Sequence, residues 1–145
     1  MNKYLKNKYF ILLCRTTVAL VFIFAGASKI NDAAGFAVSI SNYRILPDFL
    51  INITAIILPW IEIIAGILFL FGIYIKENAL ILNSLLGLFI LMIMIAVIRG
   101  LDIECGCFGT NDAQQVGLLK IAENVFLLFA GLNVYFFKEK DISDD

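Results

Sequence analysis

Four stretches of this chain are each long and apolar enough to cross a bilayer, and that constrains the fold more than any other feature. A helix needs about 20 mostly apolar residues to span a hydrocarbon core roughly 30 Å thick. Tyr9 to Ala27, Leu50 to Tyr74, Ala79 to Ile98 and Val116 to Phe137 all qualify. Each is apolar around its whole circumference, which suits lipid-facing helices better than amphipathic helices around a soluble core. The expected fold is therefore all-α: an integral membrane four-helix bundle in a single domain covering residues 1–145. Composition agrees, since 61% hydrophobic and 16% charged residues lie far from the roughly 45–50% and 25% of soluble domains.

The breaks between the spans are readable as well. Ser28 to Asp32 ends the first, Lys76-Glu77-Asn78 reads as a tight turn, and Arg99 to Gln115 is polar and carries glycines. Between the first two spans, Phe36, Val38, Ile40, Tyr43 and Ile45 alternate with polar residues. That mixture predicts a short interfacial helix in the first outer loop. Tyr43, Tyr74, Tyr135 and Trp60 read as anchors at the membrane interface. Small residues at Ala25, Gly26, Gly66, Gly72, Gly87 and Gly131 would let helices approach closely.

Lys3, Lys6, Lys8, Arg15, Lys76, Lys138 and Lys140 fall on one side of this scheme, and Lys29, Arg44, Arg99 and Lys120 on the other. Basic residues accumulate on the cytoplasmic face, so the expectation is a multi-pass protein of the cell membrane with both termini cytoplasmic. The first run is long for the apolar part of a signal peptide and contains Arg15, so it reads as a retained span. The acidic end, Asp141 to Asp145, reads as solvated and disordered. Eleven basic residues against twelve acidic ones leave no basic surface for nucleic acid. The chain contains no histidine, which removes the commonest metal ligand and the commonest general base.

The candidate catalytic residues are Cys105 and Cys107 of the motif Cys105-Gly106-Cys107, just past the third span. Gly106 and Gly109 let the backbone curl there. A disulfide across one residue is strained, because ordinary bridges keep their Cα atoms about 5.5–6 Å apart, and strained, exposed bridges are typically labile or catalytic. As a structural staple the bridge would achieve little: closing so short a loop contributes roughly 1.6 kcal/mol, against about 3 for a loop of fifteen residues. A metal role is disfavoured, because zinc wants four ligands and only Asp102, Glu104 or a second subunit could complete the set. Cys14, within the first span, reads as a packing residue.

Several charges fall inside the predicted spans. Glu62 sits near the bilayer centre, where an unpaired acid is costly and should face the bundle. The reading from depth is that Arg15 extends its long side chain to meet it. Lys29 lies toward the outer face, and Lys120 and Glu123, three residues apart, share one side of the last helix. With Asn124 as an interhelical hydrogen-bonding group, these residues would form an outer polar cluster, unless the two lysines instead reach out to the interface.

Nearly the whole chain resembles the DoxX-like and methylamine-utilisation MauE membrane proteins. The resemblance runs through Arg15, Phe22-Ile23-Phe24-Ala25-Gly26-Ala27-Ser28-Lys29, Phe36, Tyr43 and Pro47. It continues through Pro59-Trp60-Ile61-Glu62, Gly66, Arg99-Gly100 and Cys105-Gly106-Cys107-Phe108-Gly109. At Glu123-Asn124 the chain departs from the Arg-Asn pair typical of these proteins, so no role of that arginine carries over. The resemblance implies a membrane protein linked to maturation of a disulfide-rich exported protein, working beside a thioredoxin-fold partner. Three other readings remain open: a non-enzymatic scaffold for a redox partner, a quinone-binding or other small-molecule-binding subunit built around Glu62 and Arg15, and a transporter subunit. Four short helices leave little room for the transporter.

Overall fold

The computed structural model describes residues 7–100 and 118–143. Among these the chain forms helices and no strand: α1 (Lys8–Asn31), α2 (Ala33–Asn42), α3 (Asp48–Phe71), α4 (Ile75–Ile98) and α5 (Leu118–Ser143). Four stretches, namely α1, α3, α4 and Leu119–Phe137 of α5, are long and apolar enough to cross a membrane. The short α2 fills the connection between the first two spans, where an interfacial helix was expected.

Local chemistry sets the boundaries. The Asn7 side chain accepts the Tyr9 N–H at 3.2 Å and so caps α1. Asp32 ends α1 and opens α2, accepting the Gly35 N–H at 3.0 Å, so the chain changes direction at one residue. Gly72 closes α3 in the left-handed region at φ 77. The Ile73 N–H then reaches Leu68 O at 2.9 Å and the Gly72 N–H reaches Phe69 O at 3.3 Å, the paired bonds of a Schellman ending. Asn78 folds back, donating to Ile73 O at 2.9 Å and Tyr74 O at 3.1 Å.

Two sequence-based expectations are corrected here. The reversal between the second and third spans is made by Gly72 to Tyr74, and Lys76 to Asn78 already lie in the first turn of α4. At the other end, α5 continues to Ser143, so helix extends into the acidic segment expected to be disordered.

The helices pack through one main core: Val18, Ala19 and Phe22 of α1, Ala65 and Phe69 of α3, Ala79, Leu82 and Leu86 of α4, and Leu127, Ala130 and Val134 of α5. Cys14 packs at the margin of this cluster. A second cluster seats α2 on the first half of α3 through Phe36, Ile40, Ile51 and Ala55. Leu20, Phe24, Ile56, Trp60, Leu91 and Phe126 point outward, as they would in a bundle solvated by lipid. Tyr74 is exposed at the end of its span and Trp60 is exposed midway along α3, whereas Tyr43 is only 4% exposed and is a core residue instead.

Candidate functional site

The charges inside the spans are organised by the direction in which helical side chains point. Every Cα–Cβ bond tilts toward its helix's N-terminus. On α1 that tilt carries the Lys29 side chain from near the helix end back into the bundle. On α3, which runs the opposite way alongside, the same tilt carries Glu62 toward Lys29. The two meet: Lys29 Nζ donates to Glu62 Oε1 at 2.7 Å and to Oε2 at 3.0 Å, with both side chains wholly buried. Two aromatic rings flank the ammonium, Phe36 of α2 at 5.1 Å and Phe89 of α4 at 4.7 Å from their centroids. Both lie within the range for cation–π attraction. One lysine thus ties together α1, α2, α3 and α4.

This overturns the expected pairing of Glu62 with Arg15. The same tilt sends Arg15 toward the start of α1, away from Glu62. Its guanidinium lies by Gly72, where Nη1 would be 3.2 Å from a side chain's first carbon. A cation there faces the negative end of the α3 dipole. Arg15 Nε is buried without a hydrogen-bond partner among the described residues.

On α5, Lys120 Nζ meets Glu123 Oε2 at 3.2 Å, with the glutamate side chain 45% exposed. The expected interhelical bond from Asn124 is not what forms: its Nδ2 donates to Lys120 O within the same helix at 2.8 Å. Asn124 nevertheless reaches the central site by another route. Together with Glu62 it lines a small cleft whose other walls are Val21, Phe22, Ala25, Leu86, Phe89 and Leu127. The free space there is about 20 Å³, enough for roughly one water molecule. Depth and charge pointed to Glu62 in the sequence. The partnership with Lys29 required side-chain direction, and the involvement of Phe36 and Phe89 carried no sequence signal beyond their being aromatic.

Cys105 and Cys107 lie outside the described residues, in the segment that joins α4 to α5. Among the described residues no group of His, Cys, Asp and Glu is placed to hold a metal ion. Tyr43, which follows α2, has its phenol pushed up to about 12 by burial, so it stays neutral across the physiological range.

Among the described residues, four helices long and apolar enough to span, a short helix between the first two of them, and a wholly buried ion pair joining those two define a multi-pass membrane protein of the four-helix class. The sequence profile of the family described as Methylamine utilisation protein MauE matches residues 7–137, and the chain belongs to that family. Among curated relatives, Methylamine utilization protein MauE of Paracoccus denitrificans is 30% identical over 121 residues, covering 83% of this chain and 65% of the relative. The protein of the same name from Methylophilus methylotrophus is 31% identical over 120 residues, covering 81% and 62%, and that of Methylorubrum extorquens is 27% identical over 121, covering 83% and 65%. The chain thus spans a little under two thirds of the length of the curated relatives it matches. No solved structure matches it.

Proposed function

We propose that this protein serves methylamine utilisation as a membrane accessory for thiol–disulfide exchange in an exported client, with Cys105 and Cys107 as the exchanging pair. The observation that carries the proposal is the Cys105-Gly106-Cys107 motif in the connection between α4 and α5, within the stretch that matches the family. In the exchange, a thiolate of one dithiol attacks a sulfur of the other protein's disulfide to form a mixed disulfide. The second thiolate then resolves it, so one disulfide becomes a dithiol as the other forms and two electrons and two protons change hands. A thioredoxin-fold protein is the natural partner for resetting the pair. Both termini face the cytoplasm on this reading and the cysteines face outward, which follows the distribution of lysine and arginine.

The test is replacement of each cysteine by serine in cells that mature a disulfide-bearing client. Cys105→Ser and Cys107→Ser should each abolish disulfide-linked trapping of a partner while leaving the bundle folded. Normal client maturation in both variants would instead establish a scaffold. Orientation is checked separately with a membrane-impermeant thiol reagent on intact, reduced cells, where Cys105 and Cys107 should react and Cys14 should not.

A further inference from the structure

We propose that Arg15 holds the phosphate of an anionic phospholipid where α1 meets the end of α3, at the end of the bundle opposite the α4–α5 connection. The site is independent of the cysteines. Arg15 stands about 10 Å along α1 from Lys8, at roughly 1.5 Å per residue, yet its guanidinium reaches back to Gly72, which closes α3. The charge is thereby carried to the end of the second span, toward the headgroups. Gly72 keeps the space open: its φ of 77 disfavours any side chain, and a first side-chain carbon would lie 3.2 Å from Nη1.

What the protein itself offers this cation is incomplete. Among the described residues no acid pairs with Arg15, and its Nε is enclosed without a hydrogen-bond partner. The end of α3 supplies about half a negative charge, and the carbonyls of Leu68 and Phe69 already accept the Ile73 and Gly72 N–H groups. A guanidinium at the edge of a bilayer calls for a full counter-charge, and phosphodiester oxygens match its planar donors. Arg15 as a whole is half-buried, so a headgroup can reach it from beside the bundle. Lys8, two turns earlier on the same face of α1, and Lys76, in the first turn of α4, add positive charge at this end. Basic pockets between spanning helices select anionic headgroups. Leu12, one turn before Arg15, and Phe71, beside Gly72, are both exposed and give acyl chains an apolar surface. A free phosphate would make no use of them, which favours a lipid as the source of the anion.

Native mass spectrometry of the full chain in detergent micelles, titrated with phosphatidylglycerol or phosphatidylcholine, tests the assignment. The protein should retain one phosphatidylglycerol with a preference of about tenfold or more. Arg15→Gln should remove that preference while circular dichroism shows the helices unchanged. Lys8→Gln, which alters an exposed charge at the same end, should reduce it by about threefold or less. Arg15→Lys keeps the charge without the planar fork and should fall between the two. If Arg15→Gln does not fold, Arg15→Lys decides the matter, because it must weaken retention more than Lys8→Gln does. Inorganic phosphate in excess should leave the lipid bound. An unchanged preference in Arg15→Gln, equal losses in Arg15→Lys and Lys8→Gln, or displacement by inorganic phosphate would each overturn the proposal.

Discussion

The seam between α1 and α3 and the seam between α4 and α5 address the same problem, close packing of helices without a hydrophobic driving force, in different ways. In lipid, helices associate through van der Waals fit and occasional polar contacts. Along α1–α3 the fit is backbone against backbone. A first side-chain carbon at Gly26 would lie 2.8 Å from Pro59 O, and one at Gly66 would lie 3.2 Å from Ala19 O. The polar contact there, Lys29 with Glu62, is fully satisfied. Along α4–α5, Gly131 makes room for the amide of Asn83 instead, and Asn83 Oδ1 is buried without a hydrogen-bond partner among the described residues. The first seam is closed backbone to backbone around its ion pair, with Arg15 Nε at its far end left without a hydrogen-bond partner among the described residues. The second rests on a side chain that can move.

The largest expected effect comes from opening the closed seam. Lys29→Met or Glu62→Gln alone leaves a buried group without its partner and should destabilise the bundle by about 3–5 kcal/mol, whereas Lys29→Met with Glu62→Leu should cost far less. Reversible unfolding in mixed micelles measures all three. Losses in the single variants that simply add up in the double would show that the two residues are uncoupled.

Next in size is Gly26→Ala. The added methyl meets the Pro59 carbonyl, which cannot rotate away, and Ile63 Cγ1 at 2.7 Å, so a loss of about 1–3 kcal/mol is expected from overpacking. The contrasting substitution is Gly131→Ala, where the obstacle is the Asn83 side chain. Its cost should be smaller, about 1 kcal/mol, and Asn83→Ala should largely relieve it, a coupling that a double-mutant cycle isolates. If Gly131→Ala cost as much as Gly26→Ala and resisted rescue, the two seams would be equally rigid.

The spans were legible because they rest on length and apolarity alone, and the α2 helix because its apolar residues are interleaved with polar ones. The site was legible only in part. Glu62 stands out as an acid deep in an apolar run, but choosing its partner by depth favoured Arg15, when the tilt of side chains toward each helix's N-terminus makes Lys29 the residue that arrives. Tyr43 shows a second limit: an aromatic near a span end reads as an anchor, and only the packing of the chain reveals it as buried. Gly26 and Gly131 look alike in sequence, and what they face depends on which helices are neighbours.

Gly87 gives the smallest effect and sharpens the same contrast. It belongs to α4, as Asn83 does, but a carbon added there would meet nothing within 4 Å. The position therefore makes no close contact that requires glycine, and the helix bears glycine's backbone freedom without a packing return. Gly87→Ala should stabilise the bundle slightly, by about 0.5–1 kcal/mol, through reduced freedom of the unfolded backbone. The same unfolding assay reads it, with Gly26→Ala alongside as the opposing case. A loss of stability at Gly87 comparable to that at Gly26 would mean that a neighbour covers this face of α4 in the membrane, and glycine would then be a packing residue on that helix as well.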